Sequence, residues 1–534
     1  VKPKDIIKKI SFLHSERQNW DEHWQQLADF ILPRKNNVIS SRTAGEKVNQ
    51  FLLDNTALQS NVLLSGFLHG LLTNPNSQWF ELMTGDPEID NDDEVRLWLQ
   101  KTSKQILHVL NNSNFQTEIH ELYTDLGCFG TSCMSIEEDD ETIVRFATRP
   151  VQSFYIVEDN KGRIVEVYRT FKWNVMQIVA EFGMEVLDKS RTLQRAFEKD
   201  EATEYKIHHA VFPKKVHPQM SGAKPWVSKY ILEDKEIELR SSGFREFPYV
   251  VPRWSKTSGE KYGRSPGMNA LPETKTLNMM VETTIKGAQK VVDPPLQAPD
   301  DGFLGSIRTR PGAINFYRSG TTDLIRPIFN DARIDFGFQA IEEKRARIRE
   351  SFFVDQLRLK EGSPQMTATE VEARIEQAFR FMGPVLGRQQ AELLRPMIDR
   401  VFEIMQRKEL IDDAPELLQD RIIDVQYSSM IAKSQRQGEA RSIMKTIEQA
   451  SPFISADPGI LDRINGEAAL LLLARLNNFP QEILRSDQEV KKIREGRQQA
   501  EQQAQVDAQT AQTAENISKA GPGLAAAAQI GGGQ

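Results

Sequence analysis

Gly263-Arg264-Ser265-Pro266-Gly267 has the G-x-S-x-G spacing of a nucleophile elbow, in which a strained turn lifts a serine hydroxyl toward an ester or amide carbonyl. Two features argue against that chemistry. The oxyanion hole of such a site uses the N–H of the residue after the serine, and Pro266 has none. The histidine of that arrangement follows the serine in the chain, whereas the last histidine here is His217. His208 and His209 fall in a predicted strand, where neighbours point to opposite faces and cannot share one metal ion, so a strand with one exposed histidine is expected. Cys128 and Cys133 lack the second pair or the histidine spacing of a zinc site and are expected as buried thiols. The run Glu137 to Glu141 lacks the spaced ligands and glycine of a calcium loop and reads as a solvated turn between strands. No G-x-x-x-x-G-K-[ST] phosphate loop occurs, so any nucleotide-driven motor has to be a partner. The expectation is a protein that is not an enzyme and takes no cofactor and no metal.

The elements that carry these residues begin with a helix over residues 1–35, where Trp20, Trp24, Leu27 and Ile31 recur at helical spacing and Pro33 closes the segment. The two tryptophans read as core or interface anchors. Asp54, Asn55 or Thr56 caps a second helix that runs to Leu72, and a third covers Asp92 to Leu110. The middle is rich in Val, Ile, Tyr and Phe, with strands predicted over 142–148, 163–173, 204–212, 229–240 and 247–254. After Trp254 helices dominate to Arg485, and from Gln498 a Gln- and Ala-rich tail reads as either a frayed helix or a disordered end.

Composition sets the outer limits. With 39% hydrophobic and 27% charged residues in 534, the chain is an ordinary globular one of mixed α+β, mainly α, class. Two cysteines make no disulfide framework and fit a reducing cytoplasm. The longest apolar stretch, Val62 to Leu72, is broken by Ser65, Gly66, His69 and Gly70, so neither a membrane span nor a signal peptide is expected. A net charge of -7 argues against a broad nucleic-acid grip, and any contact with DNA must be local.

Several segments, in order, resemble one family. They are Trp20 to Arg34, Leu53-Asp54-Asn55-Thr56-Ala57, Leu72 to Phe80, Tyr262 to Pro266 with Leu271-Pro272 and Leu277-Asn278, Met366 to Val371, and Tyr427 to Met430. Each is weak alone, but together the chain resembles the head-to-tail connector (portal) family of short-tailed bacteriophages. The resemblance implies a dodecameric ring at one capsid vertex, through which double-stranded DNA is packaged and ejected without sequence specificity. It implies a portal fold with a wing over 1–261, a first stem helix over 262–292, a clip over 293–331 and a second stem helix over 332–360. A tunnel loop over 361–366, a long kinked helix over 367–410, a helical crown over 411–497 and the Gln/Ala-rich tail over 498–534 complete the plan. The implied partners are the terminase large subunit, a tail adaptor, capsid and scaffolding proteins and internal core or ejection proteins, with the virion as location and the host cytoplasm as place of assembly. The alternative is another helix-rich virion scaffold or internal core protein.

Periodicity supports parts of this plan. Leu271 to Val292 would span about 33 Å as a helix, with Leu277, Met280, Val281, Ile285, Ala288 and Val292 on one side. Lys275, Lys286 and Lys290 lie within about 60° of one another on the opposite side. Spacing alone makes that lysine stripe a solvated face; the resemblance makes it the DNA-channel wall. By the same resemblance Arg308, Arg310, Arg318 and Arg326 belong to the partner-binding clip, and Glu361, Gly362, Ser363, Pro364 and Gln365 form the tunnel loop. The second stem helix, Ala332 to Arg358, places Ile334, Phe338, Ile341, Ile348 and Phe352 at helical spacing. Thr367 to Glu370 has capping-box form, and Gly383-Pro384 is expected to bend the helix that follows.

Overall fold

The computed structural model describes residues 1–43, 45–48, 52–86, 89–199, 202–216, 224–297, 306–308, 314, 316, 326–327, 334–357, 382–418, 423–427, 430–456, 459, 465–476, 479, 483, 485 and 487–528. The chain forms two units, one of residues 1–81, 102–412 and 425–431, the other of 82–101, 413–424 and 432–534. The architecture is mixed α+β and mainly α.

In the first unit α1 (Pro3–Phe30) starts on a proline at its first turn, where no N–H is needed, and buries Ile6, Ile10, Leu13, Arg17, Trp24 and Leu27 at three- and four-residue intervals. Helices α2 (Thr56–Leu72) and α4 (Phe115–Phe129) follow; between them in the chain come β1 (Phe80–Met83) and α3 (Asp93–Asn112), of which residues 82–101 belong to the second unit. Strands β2 (Cys133–Asp139), β3 (Ile143–Arg149) and β9 (Tyr249–Val250) make a three-stranded antiparallel sheet in the order β3-β2-β9. The larger sheet is antiparallel in the order β4 (Phe154–Glu158), β5 (Ile164–Asn174), β6 (Glu204–Pro213), β7 (Trp226–Leu232) and β8 (Ile237–Phe244).

Both faces of the larger sheet are covered. Ile6, Ile10 and Leu13 of α1 pack on Tyr155, Tyr168, Ala210 and Phe212 on one face. On the other, Ile207, Leu232 and Leu239 meet α5 (Val175–Phe182), α6 (Glu185–Asp188) and α7 (Arg191–Glu198). This corrects the expectation of one exposed histidine: His208 and His209 do point to opposite faces, but both are buried because both faces are covered at that part of β6. The segment 229–240, read as one strand, is the hairpin β7–β8, turning at Glu236 with a positive φ of 53°. Cys128 and Cys133 are free, buried thiols, and the run Glu137 to Glu141 comprises the end of β2 and the turn into β3, where the Asp139 carboxylate accepts from the N–H groups of Glu141 and Thr142.

The rest of the first unit is built from α8 (Pro266–Val292), the paired strands β10 (Leu296–Gln297) and β11 (Arg326–Pro327), α9 (Ile334–Ser351), α10 (Val354–Leu357), α11 (residues 382–389) and α12 (Arg395–Arg407). In the second unit lie most of α13 (Met430–Ala456), then α14 (Gly466–Leu476) and α15 (Asp487–Ala528); β12 (Asp424–Tyr427) precedes them. Arg494 of α15 pairs with Glu467 of α14 at 2.9 Å. The Gln/Ala-rich tail is thus helical through Ala528, and the expected boundary at 497/498 falls inside α15. Among the described residues no helix is long and apolar enough to cross a membrane, and no group of three or more His, Cys, Asp or Glu is placed to hold a metal.

Candidate functional site

The antiparallel pair α8 and α9 is the candidate site, and its position is set where α8 begins. Ser265 is the N-cap: its Oγ accepts from the N–H of Met268 at 3.0 Å and donates to the carbonyl of Cys128 at 2.7 Å. Both hydroxyl functions are thereby used, and the side chain is buried. The two glycines of the G-x-S-x-G segment serve packing. A Cβ on Gly263 would strike the carbonyl of Gly130, and one on Gly267 would come within 2.9 Å of the carbonyl of Cys128. The motif is a docking point for the end of α4 rather than a nucleophile elbow. Trp24 joins the same junction by donating its indole N–H to the carbonyl of Phe129 at 3.0 Å, with Tyr262 edge-on to its ring.

Ion pairs fix the register of α8 and α9. Glu273 meets Lys344 at 2.6 Å and Arg347 at 3.8 Å, and two turns back along α9 from Lys344, Gly337 lies against Thr284. Arg345 ties α9 to Asp54 at 2.8 Å, and the same carboxylate accepts the N–H of Thr56 at the start of α2. Leu277, Val281, Ile341, Ile348 and Phe352 are buried between these elements. Toward the other end the apolar side loses its cover: Ile285 is 46% exposed, Val292 85% and Phe338 57%.

The three lysines do not share one open face. Lys275 donates to Gln26 Oε1 of α1 at 2.7 Å and lies over the ring of Phe30, so α1 covers that part of the stripe. A helical wheel of α8 carries no information about this crossing. Lys286 is exposed and pairs with Glu282 one turn back at 2.5 Å, and Lys290 is exposed nearer the end of the helix. Arg308 is exposed, and Arg326 belongs to β11, which pairs with β10 beyond the end of α8. Arg310 and Arg318, the loop Glu361 to Gln365 and the capping box Thr367 to Glu370 lie outside the described residues.

Two arginine clamps on the helix after α10 were not apparent from sequence. Between α11 and α12 the chain makes a π-helical turn over Gln390–Leu394, just before Pro396. Glu392 in that turn accepts from Nη2 of Arg253 at 2.7 Å and from its Nε at 3.1 Å, while Gln389 donates to the carbonyl of Arg253 at 2.8 Å. Arg253 also pairs with Glu158 and donates to the carbonyl of Gly162, so one buried guanidinium holds the β4–β5 turn, the approach to α8 and the π turn. Arg400 of α12 is the second clamp, donating to the carbonyl of Ile136 at 2.8 Å and pairing with Glu246 at 3.2 Å. Burial pushes its pKa down to about 10, with Glu246 acting against that shift. One signal was present: Arg400 sits on the buried stripe of Met397, Val401 and Ile404, where an unpartnered charge would be costly. Pro384 follows closely on Met382, the first described residue of α11, so the hydrogen bond it was expected to remove lies outside the described residues; the π turn is the irregularity seen.

Comparison with known sequences places this architecture. The sequence model of the family described as bacteriophage head to tail connecting protein matches residues 3–484. The probable portal protein of Bordetella phage BPP-1 is 31% identical over 530 residues, covering 96% of this chain and 95% of that protein. The portal protein of Salmonella phage epsilon15 is 29% identical over 518 residues, covering 94% and 92% respectively. Among solved structures, a chain from the neck of an empty GTA particle computed with C6 symmetry aligns over 82% of this chain and 98% of its own at 11% identity, with a TM-score of 0.37, too slight a likeness to build on.

Proposed function

The chain belongs to the bacteriophage head to tail connecting protein family, and on that premise we propose that it is the portal subunit whose ring forms the passage for double-stranded DNA at one capsid vertex. The observation that carries the ring is the α8/α9 pair. Its base is locked by Glu273, Lys344, Arg345 and Asp54, yet in its far half Ile285, Val292 and Phe338 are exposed. A second copy of the same stem supplies their cover, with burial of apolar surface as the driving force and no nucleotide or metal required.

On this reading 1–261 is the wing, 262–292 and 332–360 the stem, 293–331 the clip, 361–366 the tunnel loop, 367–410 the long helix and 411–497 the crown. Lys286 and Lys290 face the DNA and attract it loosely through a salt-screened field, so that the duplex slides. Lys275 serves first to seat α8 on α1. The clip, with Arg308, Arg310, Arg318 and Arg326, meets the terminase large subunit during packaging and the tail adaptor afterwards. Capsid and scaffolding proteins and internal core or ejection proteins are further partners. The chain does no chemistry of its own, assembles in the host cytoplasm and ends in the virion at the head-tail junction.

Electron microscopy of the purified protein tests the reading. Rings with a central hole, twelvefold in axial class averages, are expected; a stable monomer at micromolar concentration overturns it. Deleting the centre of the clip should abolish motor binding, and shortening Gly362 to Gln365 should leave rings intact while altering DNA retention.

A further inference from the structure

Where the two larger sheets of the first unit face each other, two guanidinium groups come together, one interior and one at the rim, with no buried acid beside them among the described residues. Arg169 on β5 is 7% exposed, and Arg149 on β3 lies at the rim with a quarter of its side chain in solvent. Arg169 stands beside His209 on β6, which stands beside Tyr230 on β7, and across the gap Tyr249 on β9 is paired with Ser135 on β2. Among the described residues the one hydrogen bond of the Arg169 guanidinium is long, 3.4 Å from Nη1 to the Tyr249 hydroxyl, and its Nε has no partner there. The ring of Phe171, 5.0 Å away, gives one weak further contact.

The remaining groups of the cluster are neutral. Since Arg169 donates to the Tyr249 oxygen, the Tyr249 proton goes to Nδ1 of His209 at 2.8 Å, and Nε2 of His209 donates to Ser228 at 2.9 Å. Burial, aided by the two arginines, holds His209 uncharged, and burial pushes the Cys133 thiol up to about 12. Arg149 donates to Ser135 at 2.8 Å and 3.2 Å, and its one carboxylate, Glu137, is 3.4 Å away on the exposed side. The other nearby acid, Glu181, is turned to Arg240 at 3.7 Å. A buried guanidinium with no counter-charge and an open N–H is an expensive arrangement. Arg169 is enclosed within one chain, so a carboxylate from another copy has no route to it. What compensates must be small.

We propose that a small inorganic anion, chloride in ordinary buffers, sits between Arg149 and Arg169, accepts the open Nε–H of Arg169 and completes the junction of the two sheets. The site is independent of the portal reading, since it lies wholly within the first unit of one chain.

The test is thermal unfolding of the full chain at fixed ionic strength while chloride replaces gluconate. The midpoint should rise and level off with chloride for the wild type, and Arg169→Gln should lose the saturating part of that rise. A wild type with no saturating rise, or a variant with the same one, overturns the proposal. Should Arg169→Gln fail to fold, Arg149→Gln at the rim is compared with wild type by the line width of the chloride NMR signal. Protein-dependent broadening that falls in the variant supports the site. Broadening that is absent or unchanged means at most adventitious ion binding and sinks it.

Discussion

The backbones of Gly130 and Gly263 meet so closely that neither position has room for a Cβ: each would strike the other's carbonyl oxygen. Gly130 ends α4 in the left-handed region at φ +77°, and Gly263 begins the approach to α8, so this contact seats the stem on the N-terminal helices. Gly130→Ala should cost about 2–5 kcal/mol, from overpacking of roughly 1–3 and left-handed strain of roughly 1–2. Gly263→Ala should cost the overpacking part alone. Urea denaturation of the two variants checks both the size and the order.

Ser265→Ala should lower stability by about 1 kcal/mol through the lost cap of α8. Any trace of esterase turnover in a preparation should be the same for wild type and variant. A serine-dependent activity would contradict the cap assignment, since the hydroxyl proton is committed to the carbonyl of Cys128.

Glu392→Gln and Arg253→Met separate the two sides of the π-turn clamp. Removing the Arg253 guanidinium leaves Glu158 with Lys256 and Glu392 with Arg388 and the backbone N–H of residue 253, so the cost should fall toward the lower end of the about 3–5 kcal/mol for breaking a buried pair from one side. Glu392→Gln should cost less, because Arg253 keeps Glu158 and the carbonyls of Lys261 and Gly162. Denaturation midpoints in the opposite order would show that the clamp is not centred on Arg253.

These cases mark what the sequence reveals about itself. Trp24 and Leu27 announce α1 by spacing, and the prolines after Val292 announce the end of α8, because these signals are local. The β7–β8 hairpin is hidden because it turns at Glu236, a non-glycine residue in the left-handed region, with no glycine or proline to mark it. The roles of Gly263, Gly267 and Lys275 were hidden for a different reason: each depends on a segment more than a hundred residues away, Gly130, Cys128 and Gln26. The lysine stripe is legible from periodicity, but which of its members is covered is decided by how α1 crosses α8.

The buried pair of Asp125 and Lys35 gives a pH response. Burial pushes the Asp125 carboxyl up from 3.8 to about 6, with Lys35 acting against it, whereas for Lys35 burial is outweighed by Asp125 and Glu121 together and its pKa is raised. The two shifts pull in opposite senses on one ion pair. The carboxyl decides the response in acid, because the lysine stays charged there. From pH 3.8 to about 6 the folded chain holds a proton that the unfolded chain has released, so this group's contribution to stability falls as pH rises through that window. Asp125→Asn should flatten the dependence, and Lys35→Met should steepen it and extend it to higher pH. Urea midpoints across the window check both.

The far half of the stem should govern assembly without governing the fold of the chain. Val292 stands almost wholly in solvent, so Val292→Asp removes little intrachain contact and should change the stability of one chain by no more than about 0.5 kcal/mol, whereas Ile285→Asp, at a half-covered position, should cost more. In a ring the same change puts a carboxylate into an apolar contact once per subunit, and the cost recurs around the closed interface. Scattering should therefore report loss of the large species while circular dichroism stays that of wild type. Lys286→Ala is the control on the other face: rings should persist, and genome packaging or retention should change. If Val292→Asp still assembles normally, that stretch of α8 is covered by something other than a second copy. If Lys286→Ala disperses the rings, its face is an interface and not the channel wall.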